Sequence, residues 1–507
     1  MLAQARHHGV PLPAAERPGK NSGKNMALLA KMWSGRGMAA WMLLGAAWLW
    51  TPAQAALKGV PADVESAWRA TGLPEESLSL VVRELAGKEL VSINGNVPRN
   101  PASVMKLVTT WAALSELGPA HTWRTALLTE PGARPDAQGS LPGALYVKAS
   151  GDPLFDVRDL WALLRELRLR GVQHIGQVVV DRSVFGPVEI DPGAFDGAGD
   201  RPYNASPDAL VVGFGASRLL FIPDAPARKW RATMDPPLPG VRLEGEVEWS
   251  DIRCPGAPVV RTEPVIHQDG IVLRLSGKVA GSCGEFSLYR LALGQVDFAR
   301  RTFEYLWRSM GGTFGGQWRE GQVPPDAVLL AQHESPPLSD VIRVINKRSN
   351  NVMARMLLLA LGAERGRGPA TVSGSEQVAQ AVLARQGLNM PELVLDNGAG
   401  LSRRAAVSAN SLVALLEVAW RSPWMPEYLS SMAIVGVDGT VRRRLQNKSA
   451  QGRAHLKTGS LRDVRAIAGY VASASGKRYI VVSIVNHAEA DKVRAFDDAL
   501  VAWLAER

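Results

Sequence analysis

The sequence predicts an α/β protein of the α+β type, in which a catalytic domain with an antiparallel sheet flanked by helices is interrupted by a mostly β inserted domain. Three observations support this prediction. Runs rich in β-forming residues, with hairpin turns, occur near both ends of the chain, at residues 77–92 and 465–487. Helical periodicity follows the first run and also closes the chain. Two motif serines, Ser103 and Ser349, stand 246 positions apart, which is far longer than a crossover connection and requires a further domain.

The first 55 residues are predicted to be an N-terminal extension and a cleaved signal peptide. Residues 38–50 are apolar, follow Lys31 and Arg36, and precede Ala53-Gln54-Ala55, the small-residue pattern of a secretory cleavage site. The apolar run is shorter than the ~20 residues that a membrane-spanning helix needs, which favours cleavage over an uncleaved anchor. We therefore expect a periplasmic protein.

The net charge limits the kinds of binding partner that we expect. The whole chain carries a net charge of +10, and loss of residues 1–55 removes six basic residues and one acidic residue, which leaves +5. The remaining sequence has no lysine-rich run and no arginines interleaved with aromatic residues, so nucleic acid is not an expected partner. A mildly cationic surface is compatible with peripheral association with an anionic membrane or cell wall.

Cys254 and Cys283 are the only cysteines, and in an oxidising compartment we predict that they form a disulfide. The alternative is a pair of buried thiols. An unstrained bridge would contribute ~3–4 kcal/mol. The eight histidines include no His-Glu-x-x-His pair, so we predict neither a metal nor another cofactor.

The first hairpin, residues 77–92, leads into a predicted helix. Asn100 can cap this helix, Pro101 suits its first turn, and Gly118 ends it. Ser103 then lies in the first turn, with Lys106 one turn later on the same side. Apolar residues repeat at three- and four-residue steps along the helix: Val104, Leu107, Val108, Trp111 and Leu114.

At the other end of the chain, residues 465–474 and 478–487 form a second predicted hairpin, followed by a helix over residues 491–505. Lys457-Thr458-Gly459 comes immediately before the hairpin, at the start or on the first part of an edge strand. The strands from the two ends of the chain are expected to pair in one antiparallel sheet.

The catalytic domain is predicted to comprise residues 56–125 and 290–507, with residues 126–289 as the insertion. Short strand-like runs separated by Pro- and Gly-containing loops indicate that the insertion is mostly β. These runs are residues 145–148, 178–180, 219–221, 241–247 and 271–275. Helical periodicity returns at residues 296–310.

Three short motifs carry the predicted chemistry: Ser103-x-x-Lys106, Ser349-x-Asn351 and Lys457-Thr458-Gly459. A serine hydroxyl becomes a good nucleophile when a neighbouring base takes its proton, and a lysine can be that base once its pKa is lowered. Lys106 is placed to do this for Ser103. Alone, each motif also fits a capping residue or an exposed lysine; the ordered set of three favours an enzyme.

The second and third motifs would serve the same reaction. Ser349 can relay a proton to the leaving amine, and Asn351 can hold the acyl amide or Lys106 by hydrogen bonds. Lys457 offers a positive charge to a substrate carboxylate, Thr458 adds a hydroxyl, and Gly459 lets a ligand approach the strand backbone. We expect the oxyanion hole to be formed by the backbone N–H groups of Ser103 and Ser460.

These motifs resemble those of penicillin-binding proteins and serine β-lactamases. The long insertion is similar to that of the low-molecular-mass D-alanyl-D-alanine carboxypeptidase/endopeptidase family. Four further segments resemble that family at corresponding places, namely residues 150–153 (SGDP), 180–185 (VDRSVF), 396–403 (DNGAGLSR) and 437–440 (VDGT).

The resemblance implies a penicillin-binding/serine β-lactamase-like catalytic domain. It further implies a serine DD-peptidase that hydrolyses the bond after D-alanine in peptidoglycan stem peptides or their cross-bridges, with β-lactam antibiotics as covalent inhibitors. It also places Arg403 beside the cleft, where it could pair with an acidic group of the stem peptide; a surface arginine that closes a loop is the alternative. Arg462 stands where relatives can carry a neutral polar residue, so the preference for the third stem residue is left open.

Two other functions compete. A serine β-lactamase needs a deacylating glutamate, and no Glu-x-x-Leu-Asn segment lies between Ser103 and Ser349. A catalytically silent cell-wall-binding protein would not need Ser103 and Lys106 together. The sequence does not separate carboxypeptidase from endopeptidase or transpeptidase activity, and it leaves the oligomeric state and the role of the inserted domain open.

Overall fold

The computed structural model describes residues 57–85, 87–256, 258–268 and 270–507. The predicted signal segment, residues 1–55, lies outside these described residues, so that prediction is not tested by the fold.

The strands of the described chain are, in order, β1 (Leu78–Glu84), β2 (Glu89–Ile93), β3 (Arg124–Thr129), β4 (Ser140–Lys148), β5 (His174–Asp181), β6 (Ser217–Asp224), β7 (Lys229–Asp235), β8 (Val241–Glu244), β9 (Val247–Ser250), β10 (Arg261–His267), β11 (Gly270–Ala280), β12 (Phe286–Arg290), β13 (Thr313–Glu320), β14 (Val328–Glu334), β15 (Ala433–Ile434), β16 (Ala454–Leu461), β17 (Val464–Ala472) and β18 (Arg478–Asn486). The α-helices are α1 (Ala62–Arg69), α2 (Met105–Leu117), α3 (Val157–Leu169), α4 (Gln295–Ser309), α5 (Leu338–Arg348), α6 (Asn351–Arg365), α7 (Val372–Arg385), α8 (Ala409–Arg421), α9 (Met425–Ser431) and α10 (Arg494–Glu506).

A six-stranded antiparallel sheet, which we call the central sheet, has the order β15-β16-β17-β18-β1-β2. β1 pairs with β18, with Leu80 opposite Ser483, so the predicted pairing of strands from the two ends of the chain is confirmed. Lys457 is the fourth residue of β16. The short strand β15 pairs only with His455 and Leu456, so Lys457-Thr458-Gly459 lies on the outer edge of β16, as predicted.

The two faces of the central sheet follow from the alternation of side chains along each strand. In β18, Ile480, Val482 and Ile484 point into the core formed with α2, α6 and α8. Val481 and Val485 point the other way, into the core formed with α1 and α10. The sheet is therefore buried on both faces, and the predicted C-terminal helix packs on it.

The chain between β3 and β14 forms three other sheets. One has the order β13-β5-β4-β3-β14, the second β12-β6-β7, and the third β10-β11-β8 with β9 on β11. The strand-like runs predicted in the insertion all fall in these strands, and the predicted helix at residues 296–310 is α4. The insertion boundaries, residues 126–289, remain a prediction. Because β13 and β14 join the sheet of β3–β5, we propose that the inserted region extends to about Glu334.

Helix α3 was missed by the mostly β interpretation of the insertion. Leu160, Leu163, Leu164 and Leu167 are buried at helical spacing. Asp156 caps the helix by accepting hydrogen bonds from the backbone N–H groups of the first turn. The sequence thus carried a local helix signal that the strand-like runs around it obscured.

The predicted disulfide is present: Cys254 and Cys283 are bonded. Cys254 follows β9 and Cys283 precedes β12, so the bridge closes a loop that contains the β10–β11 hairpin. Closing a loop of this length removes conformational freedom from the unfolded chain, worth ~3–4 kcal/mol in the chain-entropy account.

Candidate active site

Ser103 lies at the amino-terminal end of α2. Pro101, not the predicted Asn100, stands at the N-cap position of the preceding 3-10 turn, and Asn100 Oδ1 accepts a hydrogen bond from the Ala102 N–H at 2.9 Å. A 3-10 turn, Ala102–Val104, runs directly into the helix, and Ala102 has a left-handed backbone with φ 45°. The first N–H groups of a helix have no intrahelical acceptor, so the Ser103 N–H points outward at the positive end of the helix dipole.

Lys106 sits beneath this serine and is fully buried. Its Nζ lies 3.1 Å from Ser103 Oγ, 2.6 Å from Asn351 Oδ1 and 2.5 Å from the Ala399 carbonyl oxygen. Burial lowers the pKa of Lys106 well below its ordinary value, and the positive charges of Lys457 and Arg355 lower it further. A neutral amine at this position can act as a base.

The Ser349-x-Asn351 motif occupies the junction of α5 and α6. Ser349 ends α5 in the left-handed conformation, with φ 58°, which is uncommon for a residue other than glycine. Asn350 caps α6 by accepting from the Met353 N–H. Asn351 is then the first residue of α6, and its Nδ2 donates to the Tyr203 carbonyl oxygen at 3.1 Å. The junction thus brings Asn351 into contact with Lys106 and Ser349 into contact with Lys457.

Lys457 is also fully buried, with its Nζ 2.9 Å from Ser349 Oγ and 2.7 Å from the Thr458 carbonyl oxygen. Burial lowers the pKa of Lys457 to about 7. Ser349 Oγ is thus the side-chain oxygen in contact with this amine.

Strand β16 passes against the backbone of Ser103 at Gly459. A Cβ on Gly459 would lie well inside van der Waals contact with the Pro101 carbonyl oxygen, 3.1 Å from Ala102 Cβ and 3.2 Å from the Ser103 nitrogen. Only glycine allows this approach.

The register of the hairpin fixes the direction of the Ser460 N–H. Leu461 and Val464 flank a two-residue loop and form its closing hydrogen-bonded pair. Hydrogen-bonded and non-hydrogen-bonded pairs alternate along an antiparallel ladder, so Ser460 and Arg465 form a non-hydrogen-bonded pair. The Ser460 N–H therefore points away from β17, toward the open edge. This edge and the Ser103 N–H are adjacent, as an oxyanion hole requires.

These groups surround one cavity of about 560 Å³, which we call the catalytic cleft, lined by Ser103, Ser349, Thr458, Gly459 and Ser460 among others. Thr458 Oγ1 donates to Thr440 Oγ1 at 2.9 Å. Within residues 57–507, apart from the three undescribed positions, no group of three or more His, Cys, Asp or Glu side chains is arranged to hold a metal ion.

Arg403 lies to one side of these residues. It lines a separate cavity of about 500 Å³ together with Phe195. Its guanidinium stacks 4.6 Å from the centre of the Phe195 ring, and Nη1 lies 3.2 Å from Asp463 Oδ1. The side chain is about half exposed, at 51%. Arg403 is thus exposed enough to contact a ligand, although it already forms an ion pair with Asp463.

Sequence reasoning missed three groups that contact the motif residues, and the first is the Tyr203 carbonyl that accepts a hydrogen bond from Asn351. The Ala399 carbonyl is held against Lys106 by a loop in which Gly398 and Gly400 both have positive φ. Thr440, which contacts Thr458, lies in the VDGT segment. The glycines on either side of Ala399 were a sequence signal for such a loop, but only the fold shows which carbonyl it delivers.

Comparisons with known proteins show the family to which the chain belongs. The sequence pattern of the D-Ala-D-Ala carboxypeptidase 3 (S13) family matches residues 60–507. The chain is 30% identical over 444 residues to a D-alanyl-D-alanine carboxypeptidase of Actinomadura sp., covering 84% of this chain and 80% of that protein. It is 27% identical over 424 residues to the D-alanyl-D-alanine carboxypeptidase DacB of Haemophilus influenzae, covering 82% and 86% respectively.

Solved structures support the fold. Penicillin-binding protein 4 (dacB) from Haemophilus influenzae superposes with a TM-score of 0.70 at 24% identity, covering 88% of this chain and all of that one. The same protein complexed with a β-lactam gives a TM-score of 0.66 at 25% identity, covering 85% and 96%. The predicted penicillin-binding fold is therefore confirmed.

Proposed function

Because this chain belongs to the D-Ala-D-Ala carboxypeptidase 3 (S13) family, we propose that its catalytic cleft hydrolyses the peptide bond after a D-alanine through an acyl-enzyme on Ser103. The family and its carboxypeptidase relatives make the protein a serine DD-peptidase of the low-molecular-mass penicillin-binding class. The observation that supports the residue roles is that all three motifs meet at one cleft, with Ser103 touching Lys106 and Ser349 touching Lys457.

In the first step Lys106 takes the proton of the Ser103 hydroxyl while Oγ attacks the carbonyl carbon. A neutral lysine amine has two N–H donors and one lone pair. The donors are directed to Asn351 Oδ1 and the Ala399 carbonyl, which leaves the lone pair for the serine proton. Asn351 and Ala399 therefore orient the base as well as bind it.

The carbonyl oxygen of the substrate becomes negative as the carbon turns tetrahedral. The N–H groups of Ser103 and Ser460 are the donors proposed to stabilise it, and the positive end of α2 adds to their effect. The close approach of β16 at Gly459 brings the two donors within reach of one oxygen.

Collapse of the intermediate breaks the carbon–nitrogen bond, and the leaving amine needs a proton. Lys457 supplies it through the Ser349 hydroxyl, which lies between the lysine and the cleft. The proton that Lys106 took from Ser103 then replaces the one that Lys457 gave up, so Lys106 is neutral again. Water attacks the ester as Lys106 accepts its proton, and Lys106 returns that proton to Ser103 Oγ when the ester bond breaks, which releases the acid and the free serine. A β-lactam presents a similar carbonyl, so it would acylate Ser103 by the same first step.

Peptidoglycan stem peptides and their cross-bridges are the proposed substrates. Arg403 stacks on Phe195 and pairs with Asp463, and a carboxylate on the third stem residue could replace or share its contact with Asp463. Thr458 and Lys457 are proposed to meet the carboxylate next to the scissile bond.

Peptidoglycan lies outside the cytoplasmic membrane, so we propose that the protein acts in the periplasm after removal of residues 1–55. None of the helices described between residues 57 and 507 is both long and apolar enough to cross a membrane. The predicted cationic surface would then allow peripheral contact with the wall or the membrane.

The test is mass spectrometry of the mature protein after exposure to benzylpenicillin, with Ser103→Ala as the nucleophile variant and Ser92→Ala, an exposed strand serine, as the matched control. We expect a stable adduct on the wild type and on Ser92→Ala, none on Ser103→Ala, and release of D-alanine or monomers from purified muropeptides. Rapid turnover of penicillin without muropeptide cleavage would indicate a β-lactamase. A protein without adduct or cleavage would be a silent wall binder.

A further inference from the structure

The catalytic cleft continues past Thr458 into a part lined by four arginines, which we call the cationic lobe. Arg443 and Arg444 follow the turn that carries Thr440, Arg465 lies on β17, and Arg494 begins α10. Cross-strand partners share a face, so Thr458 lies on the face of its partner Ile467, which belongs to the α1–α10 core. The cationic lobe is thus the continuation of the cleft toward α10.

Two of these arginines are already held by the protein. Arg444 Nε donates to Asp498 at 2.7 Å, and Arg465 Nη1 donates to the Leu461 and Val464 carbonyls. Arg443 and Arg494 differ, because both are exposed and neither makes a side-chain hydrogen bond or ion pair within the described residues. Their guanidinium groups remain available to an anion.

The lobe also contains Asp491 and Asp497, and Asp497 is buried and accepts a hydrogen bond from Ser483. Four arginines against two aspartates leave the lining positive. Guanidinium groups bind carboxylates through paired N–H donors, so the lobe is suited to a carboxylate ligand.

The position of Ser349 shows which part of a substrate would enter the lobe. Ser349 lines the same cavity as the four arginines, and in the proposed function it hands a proton to the leaving amine. Asn351 and Arg403 do not line this cavity, and Arg403 lines the separate cavity that contains Phe195. The acyl part of the substrate therefore lies toward Arg403, and the leaving group extends toward Arg443 and Arg494.

We propose that the cationic lobe binds a carboxylate of the leaving group other than the carboxylate next to the scissile bond. Arg443 and Arg494 are the residues that bind this second carboxylate. This inference rests on the proposed function. Release of a terminal D-alanine brings one carboxylate into the cleft, whereas cutting a cross-link releases a second peptide with further carboxylates. The lobe therefore favours leaving groups that are larger and more anionic than D-alanine.

The experiment compares three synthetic peptides with one acyl part and different leaving groups: D-alanine, D-norleucine and D-2-aminoadipate. D-Norleucine adds length without charge, and D-2-aminoadipate adds a carboxylate. The test protein is R443Q/R494Q. The matched control is R442Q/K492Q, which removes two neighbouring exposed charges that do not line the cleft.

We expect the wild type to prefer D-2-aminoadipate over D-norleucine. R443Q/R494Q should lose about tenfold in kcat/KM for D-2-aminoadipate and at most about threefold for the other two leaving groups. R442Q/K492Q should stay within about twofold on all three.

Equal losses on all three leaving groups, or a wild type without preference for the added carboxylate, would overturn the lobe's role while leaving the peptidase assignment intact. A wild type that releases none of the three would instead overturn the proposed function, and the lobe's role with it.

Discussion

Gly459→Ala tests the contact on which the oxyanion hole depends. The new Cβ would meet three groups at the start of α2: the Pro101 carbonyl oxygen, Ala102 Cβ and the Ser103 nitrogen. Two of these are backbone atoms and the third is a Cβ, so no side-chain rotation can relieve the clash. β16 must move away from Ser103.

The size of the movement sets the expected loss. Restoring an ordinary carbon–oxygen contact at Pro101 requires a shift of roughly 1 Å. A misplacement of that size in an active site costs on the order of 10²-fold in rate. Loss of one oxyanion donor costs a similar factor, about 10²–10³-fold. We therefore expect acylation by benzylpenicillin and release of D-alanine to fall together by about 10²-fold, with a loss of about 1–3 kcal/mol in unfolding free energy from the overpacked contact.

The assay is the second-order rate of acylation by a labelled penicillin, measured beside a urea unfolding curve. Gly176→Ala is the matched control, because Gly176 also lies in a strand and a Cβ there meets nothing within 4 Å. It should acylate at the wild-type rate. A folded Gly459→Ala protein that acylates within threefold of the wild type would refute the assignment of the β16 edge to the oxyanion hole.

Three other outcomes follow from the same structure. The acylation rate, measured by stopped flow across a pH series, should follow a bell-shaped profile. The rate should fall in acid because Lys106 gains a proton, and it should fall above about pH 7 because Lys457 loses its proton. A flat profile would contradict these roles. Arg403→Ala should lose activity on stem peptides with a carboxylate on the third residue and much less on amidated ones, whereas equal losses remove the specificity role. Burial raises the pKa of Asp152 to about 7, so the native state holds a proton that the unfolded state releases, and stability should fall as the pH rises from about 4 to about 7. Asp152→Asn should remove most of that fall, at most about 4 kcal/mol, in urea midpoints measured across the range; an unchanged slope rules this explanation out.

Local patterns in the sequence were enough to predict much of the fold. The two hairpins at the ends of the chain, the helix after Asn100 and the closing helix all depend on spacing and capping that act over a few residues. The pairing of β1 with β18 was predictable because both runs are rich in β-forming residues and lie beside the first and third motifs. Helix α3 was missed because its signal is no stronger than the strand-like runs beside it. The end that we propose for the insertion depends on which sheet β13 and β14 join, and local sequence does not determine the partner of a strand.

The residues of the site likewise divide into those that the sequence predicted and those that it did not. The motif residues were found because the chemistry needs those residue types. Their partners were not found where the partner is a carbonyl oxygen, since any residue can supply one. Ala399 is such a partner for Lys106, and Tyr203 is one for Asn351. Which carbonyl lies beside each motif residue depends on the tertiary fold.

The Tyr203 contact joins the predicted insertion to a residue of the catalytic motifs. Arg355 of α6 is buried and donates from Nη1 to the Ala205 carbonyl at 2.7 Å, and Asn351 at the start of α6 donates to Tyr203. The segment around residues 203–205 therefore fixes the first turn of α6 from outside. Because the Asn351 amide nitrogen is held by Tyr203, its oxygen is the atom left facing Lys106. In the proposed mechanism, the insertion thereby sets the orientation of the amide that directs the lone pair of Lys106 toward Ser103.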